Sequence, residues 1–281
     1  MAVARTLGDV ELVSIDSMQV YRGMDIGTAK PSSAERAEIA HHLLDLVEPT
    51  DEFTVADFRD AYASALAEVA DQGHRALLVG GTGLYHRVVI DDFDLPGQWP
   101  VARAELDAEP DTAALYERLR TLDPAATTKM EPSNRRRIVR ALEVTLGSGR
   151  AFSSFGPGVD DYPPSQVTQV GLRWPREVIT DRIARRVGQM IADGLVDEVR
   201  ALSAVGFSRT AAQALGYKEI LEMIDGRIDQ DEAVAMIVTR TRQFAVRQER
   251  WFRRDPRVRW IDVEDDVVAE AAPIVIEALT A

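Results

Sequence analysis

An apolar strand, a helix and a second apolar strand that runs into a glycine-rich turn leave this chain few folds to adopt. Val10–Asp16 is an apolar run that closes on a carboxylate, the pattern of a buried parallel strand. Phe53–Gln72 places Val55, Phe58, Tyr62, Leu66 and Val69 on one helical face. Thr54 with Asp57 forms a capping-box-like start for that helix, and Gly73 a stop. Ala76–Val79 then leads directly into Gly80-Gly81-Thr82-Gly83. Strand, helix, strand, with polar residues just past the strand ends, predicts a doubly wound parallel α/β sheet. Such sheets bind ligands at the carboxyl ends of their strands, which singles out Asp16 and Thr82.

The middle of the chain departs from this pattern. Residues 94–166 open with Asp-Leu-Pro-Gly-Gln-Trp-Pro, become helical, and end in a loop over Ser153–Ser165 rich in Gly, Pro and Ser. Val167–Trp174 then resumes a strand-like pattern. The spacing predicts an α/β core over residues 1–93 and 167–281, with 94–166 as a helical insertion. Ile179, Ile183, Val187, Ile191 and Leu195 recur every four residues, a long helix is expected over about 230–254, and Val258–Val263 is a final strand.

Composition narrows the chemistry. Without cysteine there is no disulfide, thiolate metal site or thiol nucleophile. The four histidines (His41, His42, His74 and His86) offer little for a metal, and the adjacent pair His41-His42 reads as structural. No apolar run reaches the roughly 18 residues that span a bilayer, no signal-peptide pattern is present, and the cytoplasm is the expected location. A formal net charge of −13 argues against nucleic acid on average, but partners meet local patches. Residues 135–140 read Arg-Arg-Arg-Ile-Val-Arg, and 240–259 hold eight arginines against Glu249 and Asp255. In an acidic chain the two clusters together favour a polyanion site. Within the second, Arg240, Arg247 and Arg254 share a helical face, where phosphate binding and internal ion pairs are equal alternatives.

The densest chemistry lies in Ser14-Ile15-Asp16-Ser17-Met18-Gln19-Val20-Tyr21 and the following Arg22–Pro31. A carboxylate at a strand end is suited to take a proton from an amine, and Ser17 and Gln19 to read the edge of an unstacked base. On the residues alone, a turn-capping Asp16 is the favoured reading, and the functional one needs more than spacing.

The run SIDSMQVYRGMDIGTAKP resembles the signature of the tRNA dimethylallyltransferase (isopentenyltransferase) family. The resemblance continues through His41-His42-Leu43-Leu44-Asp45, Asp57-Phe58, Val79–Tyr85, Arg137–Val144, Gly194–Val199, Ala214–Glu219 and the Arg242-Gln243, Arg247-Gln248, Trp251–Arg253 stretch, covering nearly the whole chain in order. It implies a P-loop-NTPase-like α/β fold with a helical insertion. The implied reaction moves a dimethylallyl group from dimethylallyl diphosphate to the N6 amine of the adenine beside the tRNA anticodon, releasing diphosphate. Asp16 is then general base or hydrogen-bond acceptor for that amine. Asp16, Ser17, Met18 and Gln19 line the flipped adenine, and Thr82, catalytic with Asp16, contacts the tRNA near it. Arg103, Arg136, Arg137 and Arg140 hold the anticodon stem-loop, and Arg137 and Arg140, three apart, are expected on one helix face. Lys218 is the candidate for the departing diphosphate. Mg²⁺ is the implied cofactor, and a monomer the implied state.

One element of the family is missing from the sequence: the phosphate-binding loop Gly-x-Thr-x-x-Gly-Lys-Ser/Thr, whose amides and lysine cradle the diphosphate. Met1–Gly8 reads as the end of the helix that would follow it, and on the order of 20 further residues would supply a strand, the loop and a helical turn. Met1 is therefore expected to lie inside a longer reading frame, and residues 1–281 alone are expected neither to fold well nor to prenylate tRNA. The competing readings are a tRNA-binding remnant without activity and, less compatible with the basic insertion, a nucleotide kinase.

Overall fold

The structure, a computed structural model, describes residues 1–280 apart from 92, 94, 157 and 160. Its elements in chain order are α1 (Ala2–Leu7), β1 (Val10–Ile15), α2 (Ser33–Glu38), β2 (His41–His42), α3 (Val55–Asp71), β3 (Arg75–Gly80), α4 (Gly83–Asp91), α5 (Pro100–Ala108), α6 (Thr112–Leu122), α7 (Pro124–Thr127) and α8 (Arg135–Ser148). These are followed by β4 (Gln169–Arg173), α9 (Arg176–Ala192), α10 (Leu195–Val205), α11 (Tyr217–Ile224), α12 (Gln230–Phe252), β5 (Val258–Asp262) and α13 (Val267–Thr280). The chain divides into two units, Met1–Asp91 with Pro164–Ala281, and Asp92–Pro163.

In the first unit β1 is central and pairs in parallel with β2 on one side and β3 on the other, in the order β2-β1-β3. The register sets Ile15 opposite Gly80, so both chains leave the sheet at the same end. Parallel pairing demands a crossover, and α3 supplies it. Its capping box is closed by Thr54 Oγ1 accepting from the Asp57 N–H (3.2 Å) and Asp57 accepting from the Thr54 N–H (2.8 Å). The helix thus begins at Val55, two residues later than the apolar pattern alone predicts. Phe58 and Val69 from its face join Val13 and Ile15, or their neighbours, as buried side chains. Each such side chain removed from water contributes roughly 1.5–3 kcal/mol.

The four-residue apolar repeat that runs from Ile179 to Leu195 is not one helix. Gly194 adopts φ 102°, a left-handed conformation that ends α9 and starts α10, so Leu195 enters the core from a new direction. Ile183, Val187, Leu195, Val199, Tyr217, Ile220 and Ile237 pack with Val20, Tyr21 and Met24, so helices from the C-terminal half enclose the loop that follows β1.

A second, two-stranded parallel sheet joins β4 to β5. Among the described residues β3 and β4 are each paired on one side only. A groove of about 1670 Å³ is lined by Ala76–Gly81 from the first sheet and Gln166–Trp174 from the second. Val79 and Leu172 remain 52% and 47% exposed there, unusual for strand positions this apolar. Two other groove residues carry buried polar atoms without a hydrogen-bond partner: the Gln169 side-chain amide and His86 Nδ1.

The second unit is helical. Leu106, Leu115, Leu119, Ile138, Val139 and Leu142 form its core from α5, α6 and α8. Asn134 caps α8 by accepting from the Arg137 N–H, which places the Arg135–Arg137 run in the first turn.

Candidate active site

The ends of β1 and β3 are laced together. Gly80 lies so close to β1 that a Cβ there would sit 2.1 Å from the Ile15 carbonyl oxygen, a position only glycine can fill. Just beyond it, the Thr82 N–H donates to that same carbonyl (3.3 Å). Thr82 Oγ1 accepts from the Ser17 N–H (3.1 Å) and donates to Ser17 Oγ (3.3 Å). Asp16 is the residue between these two clips. Its Oδ1 accepts from the Met18 N–H at 2.8 Å, a turn bond that aims the carboxyl. Burial pushes the Asp16 carboxyl above the ordinary aspartate range, against the opposing pull of the Met18 and Gln19 N–H groups and the Arg186 charge. A half-buried carboxyl with raised proton affinity, beside two hydroxyls at the strand ends, is equipped to accept a proton from a bound amine.

Of the residues singled out by sequence, Asp16, Ser17 and Thr82 are brought into one cluster. Met18 packs against the core. Gln19 is engaged inside its own loop: its Oε1 accepts from Ser14 Oγ (2.7 Å) and its Nε2 donates to the carbonyls of Thr28 (3.1 Å) and Ala29 (3.4 Å). In this arrangement its amide ties the end of β1 to the Thr28–Ala29 part of the loop. Lys218 donates to Gln213 Oε1 at 3.2 Å and takes no part in the Asp16 cluster. The informative members of its motif are its neighbours: Glu219 caps Gly216 (2.8 Å) and pairs with Arg240. Arg240 is thereby an internal ion-pair partner, which decides that arginine's alternative. Arg247 lies 5.9 Å from the Phe244 ring centroid.

In the helical unit, Arg103 and Arg140 converge on one buried carboxylate. Arg140 donates to Glu143 Oε1 (2.9 Å) and to the Pro96 and Gly97 carbonyls (2.8 and 3.0 Å). Arg103 bonds Asp107 (2.8 Å) and stands 3.7 Å from Glu143 Oε2. Arg136 and Arg137, by contrast, are exposed at the start of α8. Arg137 and Arg140 therefore differ in surroundings although three residues apart: one faces solvent, the other is tied into the 95–99 stretch.

Within the Arg247-Gln248 and Trp251–Arg253 stretch, two residues to which the sequence assigns no role reach the Gly80–Gly83 turn. Gln248 Nε2 donates to the Gly81 carbonyl at 3.0 Å, and the Trp251 indole lies where a Gly83 side chain would be. Both come from α12 and hold the Gly80–Gly83 turn from above. Their signal was present as a glutamine and a tryptophan one turn apart on a helix, but nothing in spacing says what they touch. The histidines are structural: His42 and His74 (2.5 Å) both bind the buried carboxylate of Glu11. Among the described residues no group of three or more His, Cys, Asp or Glu is placed to hold a metal ion by itself.

A parallel α/β core whose paired strand ends present a carboxyl and hydroxyls defines an enzyme of the strand-end type. The sequence pattern of the IPP transferase family matches residues 19–255, and the chain belongs to that family. It is 45% identical over 270 residues to the tRNA dimethylallyltransferase of Pseudarthrobacter chlorophenolicus, covering 94% of this chain and 89% of that one. It is 44% identical to that of Salinispora tropica, covering 98% and 87%. The crystal structure of a full-length tRNA isopentenylpyrophosphate transferase from Bacillus halodurans superposes with a TM-score of 0.71 at 36% identity, over 99% of this chain and 89% of that one. A eukaryotic dimethylallyltransferase shares the fold, with a TM-score of 0.80 at 24% identity over 98% of this chain and 73% of that one.

Proposed function

We propose that this protein transfers a dimethylallyl group from dimethylallyl diphosphate to N6 of the adenine 3′-adjacent to the anticodon of tRNA. The observation that carries this reading is the Asp16–Ser17–Thr82 cluster at the joined ends of β1 and β3, in a chain of the IPP transferase family. In the reaction, N6 attacks C1 of the dimethylallyl group and the C1–O bond breaks. The diphosphate leaves with that electron pair, and one N6 proton passes to the Asp16 carboxylate. Ser17 and Thr82 fix the turn on which Asp16 stands.

The donor end is assigned to the groove between β3 and β4. An extended strand ending in a phosphate-binding loop would pair with both open edges and give the Gln169 amide and His86 Nδ1 hydrogen-bonding neighbours. The groove reaches Ile15, Gly80 and Gly81, so a loop at its upper end would meet the reacting carbon beside Asp16. Mg²⁺ would accompany the diphosphate. The exposed Arg136 and Arg137 supply backbone contacts to the anticodon stem-loop. The protein acts as a monomer in the cytoplasm, where its tRNA substrate is.

The test is transfer of labelled dimethylallyl to an anticodon stem-loop. Asp16→Asn is expected to lower transfer about 10²–10⁴-fold while leaving stem-loop affinity within a few-fold. Full activity in Asp16→Asn would remove the proton-acceptor assignment.

A further inference from the structure

The loop after the acceptor motif is held by a carboxylate from far along the chain. Glu198, in the first turn of α10, accepts from the backbone N–H groups of Asp25 (3.1 Å) and Ile26 (2.8 Å) through Oε2. Through Oε1 it accepts from the Gly27 N–H (3.2 Å) and from the Tyr217 hydroxyl (2.5 Å). Four donors converge on one carboxylate, which leaves no room for a neutral side chain to replace it without orphaning some of them. The fit is close: a Cβ on Gly27 would lie 2.3 Å from the Tyr217 ring.

The same loop connects back to the site. Its next two carbonyls, of Thr28 and Ala29, accept from Gln19 Nε2, and Gln19 Oε1 accepts from Ser14 Oγ. Ala29 is held at φ 51°, a left-handed conformation that a non-glycine residue adopts only when its surroundings impose it. At the loop's far end the Lys30 ammonium, with no exposed side-chain surface, bonds the Tyr21 carbonyl (2.5 Å), Asp25 (2.8 Å) and Asp45 (2.5 Å). Hydrogen bonds joined by the backbone of residues 25–29 therefore link Tyr217 and Glu198 to Gln19 and to Ser14 of β1, the strand that Asp16 follows.

We infer that Glu198, with Tyr217, is a positioning residue for adenine recognition: its carboxylate sets the backbone of residues 25–29, and through Gln19 the geometry of the Asp16–Gln19 turn that receives the base. The inference rests on the proposed function, because only a site that receives a base has a discrimination to lose. It separates two jobs. The exposed arginines hold the stem-loop without regard to sequence, whereas the Glu198 clamp makes the site selective for adenine at the acceptor position.

The experiment measures binding of two anticodon stem-loops, identical except for adenine or guanine at that position, to the wild type, Glu198→Gln and Tyr217→Phe. Each protein is first shown folded by its melting transition, and Glu198→Asp serves as the conservative rescue. The wild type is expected to prefer adenine. Glu198→Gln is expected to lose at least about tenfold of that preference, because hydrogen bonds to a charged acceptor are lost, while still binding the guanine stem-loop as the wild type does. Tyr217→Phe, which keeps the ring against Gly27, should lose a smaller part, and Glu198→Asp should recover some. Undiminished preference in folded Glu198→Gln, or in Tyr217→Phe if Glu198→Gln does not fold, overturns the inference. Equal weakening toward both stem-loops also overturns it, since that is a stability effect. A wild type that binds neither stem-loop removes the tRNA reading itself, and the inference with it.

Discussion

Two carboxyl groups at opposite ends of β1 show how position decides proton affinity. Asp16, just past the strand, is raised mainly by burial, and only N–H groups and a distant arginine oppose it. Glu11, at the other end, is also pushed up by burial, but the bonds to His42 and His74 outweigh that and leave it below the ordinary glutamate range. The consequences for stability have opposite signs. A group raised in the folded state contributes fully below its unfolded pKa and loses that contribution as pH rises through the folded value. Asp16→Asn should therefore be more stable than the wild type at pH 7, with the difference vanishing below the ordinary aspartate pKa. Melting curves across that range check it; a variant less stable at neutral pH would contradict it. Glu11 is the reverse case, a depressed group whose contribution is present above its unfolded pKa and lost as pH falls through its folded value. Glu11→Gln should lose stability at neutral pH, and the loss should shrink on acidification. For the proposed reaction the sign is simple: as proton acceptor Asp16 must be ionised, so transfer should rise with pH through its raised pKa and then level.

The elements that hold the site are the ends of β1 and β3 and the helix laid across them. Gly80→Ala would set a methyl against backbone that has nowhere to move, and overpacking of this kind costs about 1–3 kcal/mol or more. Trp251→Ala should leave the sheet in place but loosen the Gly80–Gly83 turn, lowering transfer more than melting temperature; an equal fall in both would make Trp251 purely structural. Much at this scale was legible in the sequence. Val10–Ile15, the capped helix after Thr54, the long helix Gln230–Phe252 and the strand Val258–Asp262 all carry local patterns strong enough to predict them, within a residue or two at the ends. The two-residue β2 carries no periodicity at all and exists only because β1 offers an edge. The break at Gly194 was equally hidden, since an apolar repeat does not record a positive φ. At the site, Asp16 and Thr82 could be found because strand ends are where such sheets act. The clamps formed by Glu198, Tyr217, Gln248 and Trp251 could not, because each depends on residues more than 160 positions away or on a ring meeting a glycine.

At the level of the whole molecule, a net charge of −13 and a polyanionic partner are compatible because the arginines are not equivalent. Arg103, Arg140 and Arg240 are engaged internally, whereas Arg136 and Arg137 are exposed at one helix start. Replacing both exposed residues by alanine should weaken stem-loop binding for any sequence and reduce the slope of log affinity against log salt by about 1–2 units. An unchanged slope would remove them from the binding surface. The central claim concerns the chemistry itself: in the proposed transfer, with a strand and phosphate-binding loop seated in the β3–β4 groove, Asp16 accepts the N6 proton of adenine. The direct measurement is a single-turnover assay with labelled dimethylallyl diphosphate, a stem-loop bearing the acceptor adenine, and protein that includes such a strand and loop, alongside its Asp16→Asn variant. The account requires label at N6 of that adenine with the wild type and a loss of about 10²–10⁴-fold with the variant. No label with the loop in place and the stem-loop bound, or equal label from Asp16→Asn, would contradict it.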